Sequence, residues 1–401
     1  KDYPDTEQVI NSCFANASPH GKQGGSGDSR GDSKTATVEE IKSFLDGHIS
    51  LRFNEITSRV EYEFPADNTD GHRFMPVNDR IVNSLWSQMS TITRVNIQDM
   101  YRVIESDYVP VFNPFKEYLN SLPQITQTST DNVSDEPGSC KPIVSQQQNL
   151  CKSVKSVGVQ DKKQSVGEND YIRELAQTVR VKGGEQEQML WHLYLKKWLV
   201  GMVASWITDD VVNNVILVLI GEQGAYKTTW FNYLLPPPLK QYFYTKTNAN
   251  RMSKDDILTL AQYALVCCEE LDTMRPAELN QLKAAVTMPS IDERAAYAHY
   301  HEHRKHIASF CGTGNNTQFL SDPTGNRRWL PFEVESIISP RDHPFHYEGI
   351  YSQALALYKS GFQYWFTKEE IQELNRHNRQ FETPHLEREL VSLYFRVPKE
   401  G

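Results

Sequence analysis

Six consecutive apolar residues, Val215 to Ile220, run directly into Gly221-Glu-Gln-Gly-Ala-Tyr-Lys-Thr-Thr229, and this junction constrains the chain more than any other stretch. An apolar run of that length without alternation predicts a strand buried on both faces. Gly221 and Gly224 supply a tight turn, and Lys227-Thr228-Thr229 fall where a helix begins. Strand, glycine loop and helix in that order predict a phosphate-binding P-loop. Its cradle is the backbone of Gly221, Glu222, Gln223, Gly224, Ala225, Tyr226, Lys227, Thr228 and Thr229, with Lys227 reaching the outer phosphates and the Thr228 hydroxyl holding Mg2+. The positive end of the helix dipole adds to the attraction. The usual spacing is G-x-x-x-x-G-K-[ST], and Tyr226 stands where the second glycine belongs. The competing reading is a plain glycine turn followed by a surface lysine.

A chain of 401 residues has room for two or three domains of about 100–200 residues each. No apolar run reaches the roughly 18 residues that span a bilayer, so no membrane partner is expected. The net charge of -9 argues against a uniformly basic nucleic-acid coat while leaving room for a local basic element. Cys267, Cys268 and Cys311 lie in apolar runs and Cys13, Cys140 and Cys151 in or beside polar ones, without metal-ligand spacing, a pattern that predicts reduced thiols in a cytoplasmic protein. The chain starts at a lysine, which suggests that an upstream part is missing.

Residues 1–35 read as a tail and a Gly/Ser-rich flexible linker, in which Arg30-Gly31-Asp32 is a chance tripeptide. Residues 36–122 read as a small α+β domain. Val38 to Leu45 has helical spacing behind a possible N-cap at Thr37, Leu51 to Phe64 alternates like a hairpin, and Asp79 to Met89 and Ile97 to Ser106 are helical. Residues 123–167, rich in Gln, Ser, Thr, Lys and Asp, bury too little apolar surface to offset the entropy of ordering and are expected to be disordered. Residues 168–335 hold the P-loop. Helices are predicted at Tyr171 to Val179 and at Glu185 to Trp206, the second with Trp191, Leu195, Trp198, Leu199 and Met202 on one face. Residues 336–401 read as a helical C-terminal region, with helices at Gly349–Tyr358, Thr367–Phe381 (opened by a Thr367/Glu370 capping box) and Leu386–Phe395.

Four further elements carry chemistry. A second buried strand, Tyr263 to Cys268, ends in Glu269-Glu270-Leu271-Asp272, and an acidic pair at such a strand end divides its roles: Glu269 orders Mg2+ and Glu270 polarises an attacking water. A third strand, Ile307 to Cys311, ends in Gly312-Thr313-Gly314-Asn315-Asn316. The Asn315 amide, with Asn316 as second choice, suits holding that water or the γ-phosphate. Arg327 and Arg328 precede another strand, where a guanidinium can stabilise charge building on a phosphoryl group. Between the second and third strands, His299, His301 and His303 alternate with Tyr300, Glu302 and Arg304. That strand period, with Lys305, fits a basic and aromatic hairpin for single-stranded nucleic acid through Tyr300, His301, His303, Arg304 and Lys305 better than a zinc site, which lacks fixing partners. A plain solvated hairpin is the alternative.

Together, Gly221-Glu-Gln-Gly-Ala-Tyr-Lys-Thr-Thr-Trp230, Glu269-Glu270-Leu271-Asp272, Gly312-Thr-Gly-Asn-Asn316 and Asp322-Pro-Thr-Gly-Asn-Arg-Arg-Trp329 resemble the virulence-associated protein E family, whose ATPase domain is similar to superfamily-3 helicases of viruses, phages and mobile elements. The match covers residues 168–335 and extends loosely to Asn113-Pro-Phe-Lys-Glu-Tyr-Leu119. The resemblance implies an α/β fold with a P-loop AAA+-type (superfamily-3 helicase-like) core. It implies ATP and Mg2+ as cofactors, single-stranded DNA as partner, and a homo-oligomeric, hexameric ring whose Arg327 and Arg328 come from the neighbouring subunit. A role in replicating or mobilising a phage, plasmid or integrated element follows, with a primase or replication-initiation protein as a further partner. Lys227, Glu270, Asn315, Arg327 and Arg328 are then the catalytic set, and the hairpin carries over to His301, His303 and Lys305. Tyr226 for glycine and Glu269 for aspartate put the hydrolysis rate in question more than binding. An ATP-binding assembly or switch protein with slow hydrolysis is the alternative, and a P-loop small-molecule kinase a weaker one.

Overall fold

A computed structural model describes residues 35–65, 74–123, 170–246, 254–293, 302–321, 326–384 and 394. The linker, most of the segment 123–167 and nearly all of Leu386–Phe395 therefore lie outside the described residues. The chain divides into two compact units, Lys1–Glu117 and Tyr118–Gly401.

In the first unit, α1 (Val38–His48) starts at Thr37, whose side chain accepts from Glu40 N while the Glu40 carboxylate reaches back to Thr37 N. This reciprocal cap satisfies two amides that the first helical turn leaves without intrahelical partners. The expected hairpin forms from β1 (Ser50–Asn54) and β2 (Arg59–Glu63), paired antiparallel. With β3 (Met75–Pro76) and β4 (Val111–Phe112) they make a sheet of order β3-β2-β1-β4. The apolar faces of α1, α2 (Asp79–Ile92) and α3 (Ile97–Ile104) close one core through Phe44, Leu45, Leu85, Met89 and Met100. Helix α4 (Pro114–Ser121) follows, its first amides capped by Asn113 Oδ1.

The second unit is built on a six-stranded sheet ordered β5-β12-β6-β11-β8-β7. Its strands are β5 (Val179–Val181), β6 (Ile216–Ile220), β7 (Phe243–Lys246), β8 (Leu265–Cys268), β11 (Ser309–Gly314) and β12 (Trp329–Ile337). All neighbours run parallel except β5, which lies antiparallel on β12. β6 is central and fully buried, as its unbroken apolar run predicts. Ile216, Val218 and Ile220 enter a core with Leu260 of α8 (Lys254–Gln262) and Leu279, Leu282 and Val286 of α9 (Pro276–Val286). Leu219 faces the other way, in register with Phe332, whose ring packs edge-on against Trp191 of α6 (Gly184–Ile207).

Two expectations are corrected here. The helix predicted to Val179 ends earlier, as α5 (Tyr171–Gln177), because Val179 and Val181 leave it to pair with β12. β-Branched residues fit that edge better than a last helical turn. Helix α6 does not bury a single face: from Lys197 to Trp206 every residue is buried. A helix enclosed on all sides loses its amphipathic signature. The Trp198 indole donates to Phe310 O at 3.0 Å, and Lys197 lies buried against Glu370 at 2.9 Å.

The region beyond β12 packs into the same unit. α10 (Tyr347–Lys359) stacks Tyr351 on Trp206 and donates its phenol to Leu234 O at 2.9 Å. α11 (Lys368–Asn378) carries the predicted Thr367/Glu370 capping box, and its Asn378 amide donates to the carbonyls of Asn326 and Trp329. No helix among the described residues is long and apolar enough to cross a membrane.

Candidate functional site

The loop between β6 and α7 (Lys227–Leu234) opens at the carboxyl ends of the parallel strands. Gly224 adopts φ +87°, open to glycine without strain. Tyr226 adopts φ 58°, where a side chain costs about 1–2 kcal/mol. Tyr226 is 47% exposed, so the bulky substitute for glycine is accommodated at the surface, at the price of backbone strain. Trp230 N donates back to Tyr226 O at 2.8 Å, so α7 begins at Lys227. A second strained residue faces the same space: Glu270, at φ 54°, directly after Glu269 at the end of β8. Among the described residues only Ser58, Tyr226 and Glu270 combine a side chain with positive φ, and two of these three line one cleft. Strained backbone gathers where surrounding structure over-determines it, commonly at functional sites.

That cleft, about 380 Å³, is bounded by the loop from Gln223 to Thr229, by Glu269 and Glu270, and by Thr313 and Asn315 of the β11 end. Lys227 is 7% exposed. Its ammonium donates to Gly221 O and Glu222 O, both at 2.7 Å, and to Asn315 Oδ1 at 3.3 Å. Burial pushes its pKa below the ordinary lysine value, and the Asp272 carboxylate partly offsets this. A buried cation held only by neutral oxygens is poised for an anion. Gly221 N meanwhile donates to Gly314 O at 3.2 Å, tying the loop to the Asn315 strand.

The structure thus brings the loop residues, Lys227, Thr228, Thr229, Glu269, Glu270 and Asn315 to one cleft. Asn316 is engaged elsewhere, accepting from Gln318 N at 3.0 Å. Thr228, Glu269 and Glu270 line the cleft with hard oxygen atoms of the kind that could hold a cation such as Mg2+. Sequence reading missed two residues here: Thr313, which lines the cleft, and Asp272, whose signal was its place three residues after Glu269.

Arg327 and Arg328 are not brought to this cleft. They form a 3-10 turn, Asn326–Arg328, ahead of Trp329, which pairs with Ile216 at the opposite end of β6. The length of β6, about 13 Å, separates the two edges. Both arginines line a larger cavity of about 510 Å³ with Asp210, Thr287, Tyr364 and Trp365. Among the described residues neither guanidinium meets a carboxylate. Burial and the neighbouring Arg327 charge lower the pKa of Arg328.

The hairpin exists as β9 (Ser290–Glu293) paired antiparallel with β10 (Glu302–Lys305). Its tip, with Tyr300 and His301, lies outside the described residues. His303 is exposed, and Lys305 pairs with Asp209 at 3.7 Å. His306, just past β10, is a buried core residue that holds Met288 O at 2.7 Å, and burial pushes its pKa below the ordinary histidine value.

A mostly parallel sheet flanked by helices, with a glycine loop, a buried lysine and carboxylates at its carboxyl edge, defines an α/β protein with a polar cleft at that edge. The virulence-associated protein E-like domain matches residues 164–383, more than half the chain, and the chain belongs to that family. No curated protein matches it. Solved structures of the NrS-1 C-terminal region in apo form are similar at low identity. One has 14% identity and a TM-score of 0.37 over 85% of this chain and 66% of its own, just under two thirds. A second has 14% and 0.42 over 84% and 74%, and a third 15% and 0.38 over 85% and 67%.

Proposed function

We propose that this chain is an ATP-hydrolysing DNA motor that assembles into a ring, a hexamer, around single-stranded DNA and serves replication or mobilisation of a phage, plasmid or integrated element. The observation that carries the reading is the meeting of Lys227 with Asn315 in a cleft that Glu269 and Glu270 also face. ATP phosphates would displace the carbonyls that now hold the Lys227 ammonium and lie along the loop amides. Mg2+, when bound, would neutralise phosphate charge from the side of Thr228 and Glu269. Glu270 would take a proton from the attacking water, and the Asn315 amide would orient that water or the γ-phosphate. The P-loop AAA+-type, superfamily-3 helicase-like assignment of the core belongs to the same proposal.

Among the described residues Lys227 is the one cation that lines the cleft, and the charge that builds on the transferred phosphoryl group calls for a second. Arg327 and Arg328, which meet no carboxylate among the described residues at the other sheet edge, suit that role for a neighbouring subunit in a ring. The β9–β10 hairpin would contact DNA through His303, Arg304 and Lys305 together with Tyr300 and His301 at its tip.

ATP turnover with and without single-stranded DNA tests the reading. Lys227→Ala should lower turnover by at least about a hundredfold and abolish ATP binding. Equal hydrolysis by the variant and the unaltered protein would end the motor reading. ATP binding with negligible, DNA-independent turnover would favour the slow-switch alternative, which the strain at Tyr226 supports.

A further inference from the structure

The turn after β8 holds a carboxylate that the catalytic scheme does not use. Asp272 is the middle residue of a 3-10 turn, Leu271–Thr273, and both its oxygens reach across to the end of β11. Oδ1 accepts from Asn315 N at 3.2 Å and Oδ2 from Asn316 N at 3.1 Å. Two successive amides on one carboxylate form a two-point clasp that fixes the peptide plane between those residues. The sequence around the clasp makes room for it. A Cβ on Gly314 would lie 3.0 Å from Asp272 Oδ1, and one on Gly312 would lie 2.3 Å from Leu271 Cδ1. A side chain at either glycine would therefore press on the same turn. The clasped residue is the one whose side chain receives the Lys227 ammonium. Asp272 also acts on Lys227 through its charge, countering the effect of burial.

We propose that Asp272 is a positioning residue of the nucleotide site, setting the Asn315 amide and linking the strand end that bears Glu269 and Glu270 to the strand end that bears Asn315. The inference rests on the nucleotide reading above. It assigns Asp272 a task that touches no substrate: with the clasp intact, the Asn315 side chain is held at Lys227 before ATP arrives, so little reorganisation remains for the reacting state. Glu270, two residues before Asp272 and in a strained conformation, leads directly into the same turn.

The test compares Asp272→Ala, Asp272→Asn, Asn315→Ala and the double variant Asp272→Ala/Asn315→Ala in the full chain. It reads ATPase kcat and KM, ADP affinity and deuterium exchange at the Asn315 and Asn316 amides. Asp272→Ala should lower kcat by about ten- to a hundredfold, leave ADP affinity within about twofold, and expose both amides to exchange. Asp272→Asn keeps one oxygen acceptor and should recover part of the loss. Because Asp272 acts through Asn315, the double variant should be no slower than the slower single variant. Losses that multiply in the double variant, or an unchanged kcat in Asp272→Ala, would overturn the proposal. A general loss of fold would appear as loss of ADP binding in Asp272→Ala, and that result would also reject a positioning role. Absence of ATP binding by the unaltered protein defeats the nucleotide reading itself, and is distinguishable because every variant is scored against that control.

Discussion

The two edges of the parallel sheet are ends of the same strands, yet they are built on opposite terms. At the carboxyl edge, β6, β8 and β11 deliver a lysine, two glutamates and an asparagine into one cleft, where Lys227 and Asn315 are held by backbone and by each other. At the amino edge, two adjacent arginines border a larger cavity beside Tyr364 and Trp365, with no carboxylate pairing among the described residues. One edge offers a pre-set polar cradle; the other offers positive charge that meets no carboxylate among the described residues. Strands of about 13 Å stand between them, so no rotamer change unites them within one chain. The contrast teaches that a motif set contiguous in logic can be split in space by strand direction alone.

The sharpest way to break this comparison is to remove one edge's charge. Arg328→Ala should lower ATP turnover by about a thousandfold while ATP binding persists, as expected of a cation acting only on the transition state. Mixing Arg328→Ala with Lys227→Ala subunits should restore part of the activity, because some mixed interfaces keep both intact partners; mixed rings that stay inert would place the arginine's role elsewhere. At the carboxyl edge, Glu270→Gln should cost about a hundredfold in turnover with ATP still bound, measured under single-turnover conditions. Parity with the unaltered protein would remove Glu270 from the base role.

A smaller effect is expected at the hairpin. His303→Ala with Lys305→Ala should weaken single-stranded DNA binding about tenfold and flatten its salt dependence without changing ATP affinity. Unchanged DNA affinity in a titration would move the contact to another surface. The smallest effect concerns Tyr226. Replacing it by Gly relieves a left-handed side chain and restores the usual loop residue. Thermal unfolding should therefore show stability raised by up to about 1 kcal/mol, with ATP affinity kept or improved. A loss of stability would mean that the exposed ring makes a contact worth more than its strain.

Much of the fold was legible in the sequence for identifiable reasons. Val215 to Ile220 announced a doubly buried strand because no polar residue interrupts it, and Thr367 with Glu370 announced a helix start because the capping box is local chemistry. The helix end at Gln177 and the short strand Val179–Val181 were not legible, since their pairing partner lies more than 150 residues away in β12. Likewise α6 reads as one-sided only until α10 and the sheet enclose it.

By itself the sequence determined the glycine loop, the acidic pair, the Asn315 turn and the family to which the chain belongs, because each is a short run whose chemistry is carried by neighbours in the chain. Tertiary structure alone decided which of these meet. The insertion of β11 between β6 and β8 puts Asn315 on Lys227 and under Asp272, and the parallel course of β12 sends Arg327 and Arg328 to the far edge. Strand order and direction are set by pairings across long sequence separations, where local propensity has no reach.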